Sequence, residues 1–210
     1  MNCFAAFLNI AILTLDCVVA ASVSTTLPIV DLGYELHQAI AYNDTGAYYN
    51  FSNIRYAAPP LGNLRFSPPQ QPTTNRNTTQ TGNRAVICPQ TTPAWLQFAE
   101  PWIYQYLAGA PITLTQAQLD AANASQTLAT VIPQDATASE DCLFLDVVVP
   151  KNVFNKEGST KSKGAPVMVW IHGGGFMIGS KTFYGNPAGI IERSKTQGRE
   201  GVIFVSINYR

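Results

Sequence analysis

Histidine is nearly absent from this sequence: His37 and His172 are the only two in 210 residues. Neither has a partner at ligand spacing, so no metal site is credible. Charge is scarce as well, at 12% of residues, with Lys+Arg and Asp+Glu balanced at 13 each. No basic block occurs, which argues against nucleic acid as the main partner. A long clean hydrophobic run is also lacking. The most apolar stretch, Cys3 to Leu15, is closed by Asp16 and is too short to span a bilayer, so no transmembrane segment is predicted. What remains is 46% hydrophobic, enough to bury a core in one or two domains and too much for a disordered chain.

Residues 1–20 read as a secretory signal. The apolar run leads to the small residues Val18-Val19-Ala20-Ala21, which suit cleavage, although no Lys or Arg precedes it. Secretion is the expectation, with a membrane anchor as the alternative that Asp16 disfavours. Four N-x-[ST] sequons, at Asn43, Asn50, Asn77 and Asn123, agree with an extracellular protein. Asn50 falls in a predicted strand and is the least suitable for glycosylation. Of the four cysteines, Cys3 and Cys17 would leave with the signal. Cys88 and Cys142 would then remain as a pair that an oxidising compartment should join; two free buried thiols are the alternative. Such a bridge closes a loop of about 55 residues and stabilises by about 4 kcal/mol in the chain-entropy model.

Leu27 to Tyr56 alternates polar and apolar residues between turn signals and predicts two or three strands of an antiparallel meander. The proline-rich Tyr56 to Pro69 predicts an extended, rigid surface segment. Residues 70–87 are rich in Asn, Thr and Gln and read as a loop. Pro93 to Leu107 reads as an aromatic helical patch interrupted at Pro101, belonging to the core. The alanine-rich stretch from Gln116 to Thr130 suggests a second short helix. Cys142 to Pro150 predicts a buried strand, Lys151 to Lys163 a charged exposed loop, and Val202 to Tyr209 another strand. Between them, Asn186-Pro187 opens a helix that should end near Gln197-Gly198. Strand, strand, helix, strand in the second half indicates an α/β sheet.

The chain is organised around Pro166 to Gly179, P-V-M-V-W-I-H-G-G-G-F-M-I-G. Val167 to Ile171 is a continuous apolar run and predicts a strand covered on both faces. His172, Gly173, Gly174, Gly175 and Phe176 follow at once. Consecutive glycines let successive N–H groups converge on one spot, as an oxyanion hole requires. A plain flexible turn is the simplest alternative. A phosphate loop is disfavoured because Ser180 stands where lysine should be and Lys181-Thr182 come one residue late. A dinucleotide fingerprint fails because Ile178 occupies the place of its last glycine. No cofactor is predicted.

Four segments together carry a family resemblance. They are Ile54 to Pro69 (I-R-Y-A-A-P-P-L-G-N-L-R-F-S-P-P), Ser139 to Val147 (S-E-D-C-L-F-L-D-V), Val169 to Gly179 (V-W-I-H-G-G-G-F-M-I-G) and Val205 to Arg210 (V-S-I-N-Y-R). In this order they resemble the N-terminal part of a type-B carboxylesterase, the group that includes cholinesterases and secreted fungal lipases. The resemblance implies an α/β-hydrolase fold, here its N-terminal part: mostly a β meander, then strand-strand-helix-strand of the central sheet, incomplete. It implies hydrolysis of small-molecule or lipid carboxylic esters by a Ser, Glu or Asp, His triad. Gly174 and Gly175 then look like oxyanion donors. His172 and Gly173 resemble loop-positioning residues, and Phe176 would sit beside an acyl pocket. Cys88 and Cys142 look like the family's first disulfide, and Arg65 and Glu140 like its buried structural ion pair.

One departure is large. No G-x-S-x-G occurs in these 210 residues, and in the resembling fold the nucleophile elbow lies beyond the strand at Asn208-Tyr209-Arg210. The expectation is therefore a signal at 1–20 and, over 21–210, a domain truncated before its nucleophile and inactive alone. Two other readings stand beside the secreted esterase: a catalytically dead cholinesterase-like adhesion domain, and a non-functional fragment.

Overall fold

The computed structural model describes residues 26–91, 96–111, 113, 115–118, 120, 137–156, 164–183 and 185–210. Its first sheet has three strands. β1 (Ile29–Asp31) pairs antiparallel with β2 (Glu35–Gln38), which pairs parallel with β5 (Asn75–Gln80). The second sheet has five strands. β3 (Ala41–Asn43) and β4 (Tyr48–Arg55) form an antiparallel hairpin, and β4 pairs with β6 (Phe144–Pro150). β6 pairs antiparallel with β8 (Ile203–Ile207), and β8 pairs parallel with β7 (Val167–Ile171), giving the order β3-β4-β6-β8-β7. Helix α3 (Ala188–Ser194) connects the two parallel strands. A parallel pair needs such a crossover, since a hairpin cannot join two strands running the same way. Asn186 Oδ1 accepts from the Ala188 N–H at 2.9 Å, so the predicted Asn-Pro start is realised one residue later.

The core is built where β4, β6 and β8 lie side by side. Phe51, Ile54 and Val149 are buried on one face; Tyr48, Val148, Phe204 and Ile191 of α3 are buried on the other. A third cluster joins Ala57, Val86, Leu143 and Phe144 to Cys88 and Cys142, which form a disulfide. Between Phe51 and Ile54 the register of β4 slips against β6, a bulge with Asn53 at φ +54°. A bulge leaves one N–H without its ladder partner. Here Asp146 of β6 accepts it: its Oδ1 takes the Asn53 N–H at 2.8 Å and the Ser52 hydroxyl at 2.9 Å. The same carboxylate holds Lys181 Nζ at 2.8 Å, and both side chains are buried.

Several sequence expectations are corrected. Residues 75–80 form strand β5, not loop. Its N-R-N-T-T-Q composition is polar because nearly the whole strand is exposed, so no alternating pattern betrays it. Helix α1 (Leu96–Leu107) runs through Pro101, which has no N–H to give; the helix carries the loss of that one bond. Its described aromatics are not core: Trp102, Tyr104 and Tyr106 are exposed, with Trp102 stacked on Tyr106. Lys151–Phe154 is a short helix, α2, before the remaining predicted loop. β7 is exposed along its whole length, although its apolar run predicts burial on both faces. It is the outermost strand of its sheet, and no described strand pairs with its far edge. Trp95, most of the predicted helix at 116–130, the sequon Asn123 and the signal at 1–20 lie outside the described residues. No helix among the described residues is long and apolar enough to cross a membrane.

Candidate active-site loop

β7 and β8 are in register through Ile171 and Ile207, so the chain leaves the sheet at the same edge after both strands. That edge is the carboxyl end of the parallel pair, where open α/β sheets place their ligands. His172 follows β7 and is buried. Its Nδ1 lies 2.9 Å from the Gly173 carbonyl oxygen, and its ring stacks on Tyr209 with centroids 4.4 Å apart. The Tyr209 hydroxyl donates to the His172 carbonyl at 2.7 Å. His172 thus fixes where the loop begins, and no serine hydroxyl among the described residues hydrogen-bonds to its ring.

Gly174 at φ +135°, Gly175 at φ +62° and Phe176 at φ +61° then turn the backbone through three consecutive left-handed conformations. A Cβ at Gly174 would meet the Ile178 carbonyl oxygen at 1.8 Å, so only glycine fits there. Ile178 and Met177 both donate their N–H groups to the Gly174 oxygen, at 3.1 and 3.0 Å, which closes the turn. Among the described residues, no acceptor takes the N–H of Gly174 or of Gly175. Two free, adjacent N–H groups on a tightly closed glycine turn form a nest that favours an anion. Phe176 holds a conformation that side chains rarely adopt, and it is 94% exposed. Such strain gathers at functional sites.

A cleft opens beside the loop. Arg65, Glu140, His172, Phe176, Tyr209 and Arg210 line it, with Gln90 and the Cys88–Cys142 bridge at its floor. Arg65 and Glu140 do pair, at 2.9 Å, but not as the buried bridge that the resemblance implies: their side chains are 51% and 43% exposed. The pair lies on the rim of the cleft, where nothing described covers it. A buried ion pair does occur elsewhere, between Lys181 and Asp146, with side chains 5% and 12% exposed, and sequence reading missed it. Lys181 stands just after the glycine motif, and its N–H donates to Asn208 Oδ1 at 2.9 Å. Asn208 in turn donates to the Val86 and Cys142 carbonyls. Phe176 lines this cleft, its ring edge-on to Tyr209 with centroids 6.5 Å apart. No group of acidic, His or Cys side chains suited to a metal occurs among the described residues. Of the described sequons, Asn43 and Asn77 are exposed, whereas Asn50 lies in β4 with Oδ1 buried.

The carboxylesterase family model matches residues 37–210. Carboxylesterase patB of Aspergillus clavatus is 42% identical over 194 residues, which cover 91% of this chain and 35% of that protein. Carboxylesterase patB of Penicillium expansum is 43% identical over 209 residues, 96% of this chain and 36% of that protein. The crystal structure of Aspergillus niger EstA aligns with a TM-score of 0.56 at 26% identity, over 88% of this chain and 26% of that one. The chain therefore spans about a third of the length of the curated relatives it matches. Its mixed sheet with the β7-α3-β8 crossover is part of the esterase α/β-hydrolase fold. With a family match that runs from His37 through the glycine turn to Arg210, the chain belongs to the carboxylesterase family.

Proposed function

We propose that this chain is the N-terminal portion of a secreted carboxylic ester hydrolase and supplies its oxyanion hole. The observation that carries the reading is the pair of N–H groups on Gly174 and Gly175 that no acceptor among the described residues takes, held on a turn that admits no side chain at Gly174. In the complete enzyme a serine attacks the ester carbonyl, and the carbonyl oxygen becomes an oxyanion. Donors already fixed at that position stabilise the tetrahedral intermediate, each removal costing about 3–4 kcal/mol. His172 positions the loop and is not the base, because its ring is buried against Tyr209. The serine, the triad acid and the triad base come from sequence beyond Arg210, since no G-x-S-x-G is present here. Secretion rests on the apolar N-terminus, the sequons and the Cys88–Cys142 bridge.

The test compares two proteins. The 210-residue chain should hydrolyse p-nitrophenyl esters no faster than a denatured control, because an unactivated nucleophile is weak. A longer protein from the extended reading frame should contain G-x-S-x-G within a few tens of residues of Arg210 and hydrolyse short acyl esters. An active 210-residue chain would show that the catalytic residues are misidentified. A longer protein with no serine at the elbow would favour an adhesion domain.

A further inference from the structure

The glycine turn closes on its own Gly174 carbonyl, but these internal bonds do not fix where the turn sits against the core. Gly173, Gly175 and Phe176 are exposed, and three successive residues have positive φ. An oxyanion hole tolerates only a fraction of an ångström of misplacement, so its position must be imposed by neighbours. His172 and Tyr209 fix the start of the loop. Its end is held by a residue 89 positions away. The Gln90 carboxamide accepts the Gly179 N–H at Oε1, at 2.6 Å, and donates from Nε2 to the Gly179 carbonyl, at 3.0 Å. One side chain thus takes both backbone groups of one residue, the exchange that a neighbouring strand would make. Nε2 also donates to the Cys88 carbonyl at 2.8 Å, which fixes the side chain against its own backbone. Thr91 adds a second tie, donating its N–H to the Met177 carbonyl at 2.8 Å. Cys88 itself is bonded to Cys142, which is fully buried just ahead of β6.

We propose that Gln90 is a positioning residue of the ester hydrolase. On this reading the segment Cys88 to Thr91 is a strap, anchored to the core by the disulfide, that sets where the Gly174 and Gly175 N–H groups point. The proposal rests on the oxyanion role of that turn. A residue that positions transition-state donors should affect kcat and leave ground-state binding nearly alone.

The experiment uses the longer, active protein and two variants. Gln90→Met keeps the length of the side chain and removes all three bonds; Gln90→Glu keeps the acceptor and removes the donor. Turnover is measured per active site titrated, so that misfolded enzyme does not count. Gln90→Met should lower kcat by about 10- to 100-fold, with KM changed less than about threefold. A trifluoromethyl ketone, which binds as a tetrahedral adduct, should lose affinity by the same factor as kcat. Gln90→Glu should fall between wild type and Gln90→Met. Unchanged kcat per titrated site in both variants would overturn the proposal, as would a rise in KM alone. If Gly175→Pro cripples turnover and Gln90→Met does not, the strap fails while the oxyanion turn stands. If Gly175→Pro keeps full turnover, the oxyanion reading falls and the strap falls with it.

Discussion

Two ion pairs show how little a charge pair says until its surroundings are known. Lys181–Asp146 is buried and also serves the bulge at Asn53, so removing Lys181 leaves a carboxylate in a water-poor site. Lys181→Met should lower stability by about 3–5 kcal/mol, as measured by chemical denaturation of the longer protein. Arg65→Ala, at an exposed pair, should cost only about 0–1 kcal/mol. Equal losses in the two variants would mean that the cleft rim is covered in the complete enzyme. A third pair gives a pH signature. The Arg76 guanidinium hydrogen-bonds to Asp31, with help from the Gly33 N–H, and lowers the carboxyl pKa from 3.8 to about 2. The folded value lies below the unfolded one. The pair's contribution is therefore complete above about pH 4 and is lost as pH falls through about 2. Both side chains are exposed, so the effect on stability is small and the titration is the useful readout. The Asp31 carboxyl ¹³C shift should titrate near 2 in wild type and return toward 3.8 in Arg76→Ala; an unmoved midpoint would remove the pair.

Among the elements, the glycine turn divides its labour unequally. Gly174→Ala puts a Cβ 1.8 Å from a backbone oxygen that cannot move without opening the turn. Gly175→Ala meets only the flexible end of Met177, at 3.1 Å, and pays mainly for its positive φ. In the longer enzyme Gly174→Ala should therefore lower kcat by at least about tenfold more than Gly175→Ala, as steady-state kinetics would show. This turn was legible in the sequence because its requirement is local: a run of glycines states what the backbone must do. The β6, β7 and β8 strands were legible for a similar reason, since apolar β-branched runs declare strands. Whether a strand is covered is not local, and β7 was misread there. Strand β5 gave no strand signal, because Asn75 to Gln80 has no apolar side and its Asn- and Thr-rich composition reads as loop. Gln90 and Lys181 were missed because their partners lie 89 and 35 residues away, and only the folded sheet brings them together.

At the scale of the whole molecule, the sheet ends on an exposed apolar strand, from Val167 at 57% to Ile171 at 63% exposure. Among the described residues no strand lies beyond it, and an exposed apolar strand at the end of a sheet is a template for association. The 210-residue chain should thus elute from size exclusion as oligomers, and Val169→Lys should shift it toward monomer. A monodisperse wild-type monomer would contradict this. The relatives are about three times longer, and the chemistry proposed here belongs to that longer protein. In that protein the turn after β7 is proposed to supply the oxyanion donors. The most direct measurement is the kcat of the longer protein on p-nitrophenyl butyrate with Gly175→Pro, which deletes one donor N–H. A fall of about 10²–10³ is expected, with any distortion of the turn adding to it. Undiminished turnover would contradict it and take the oxyanion role away from this loop.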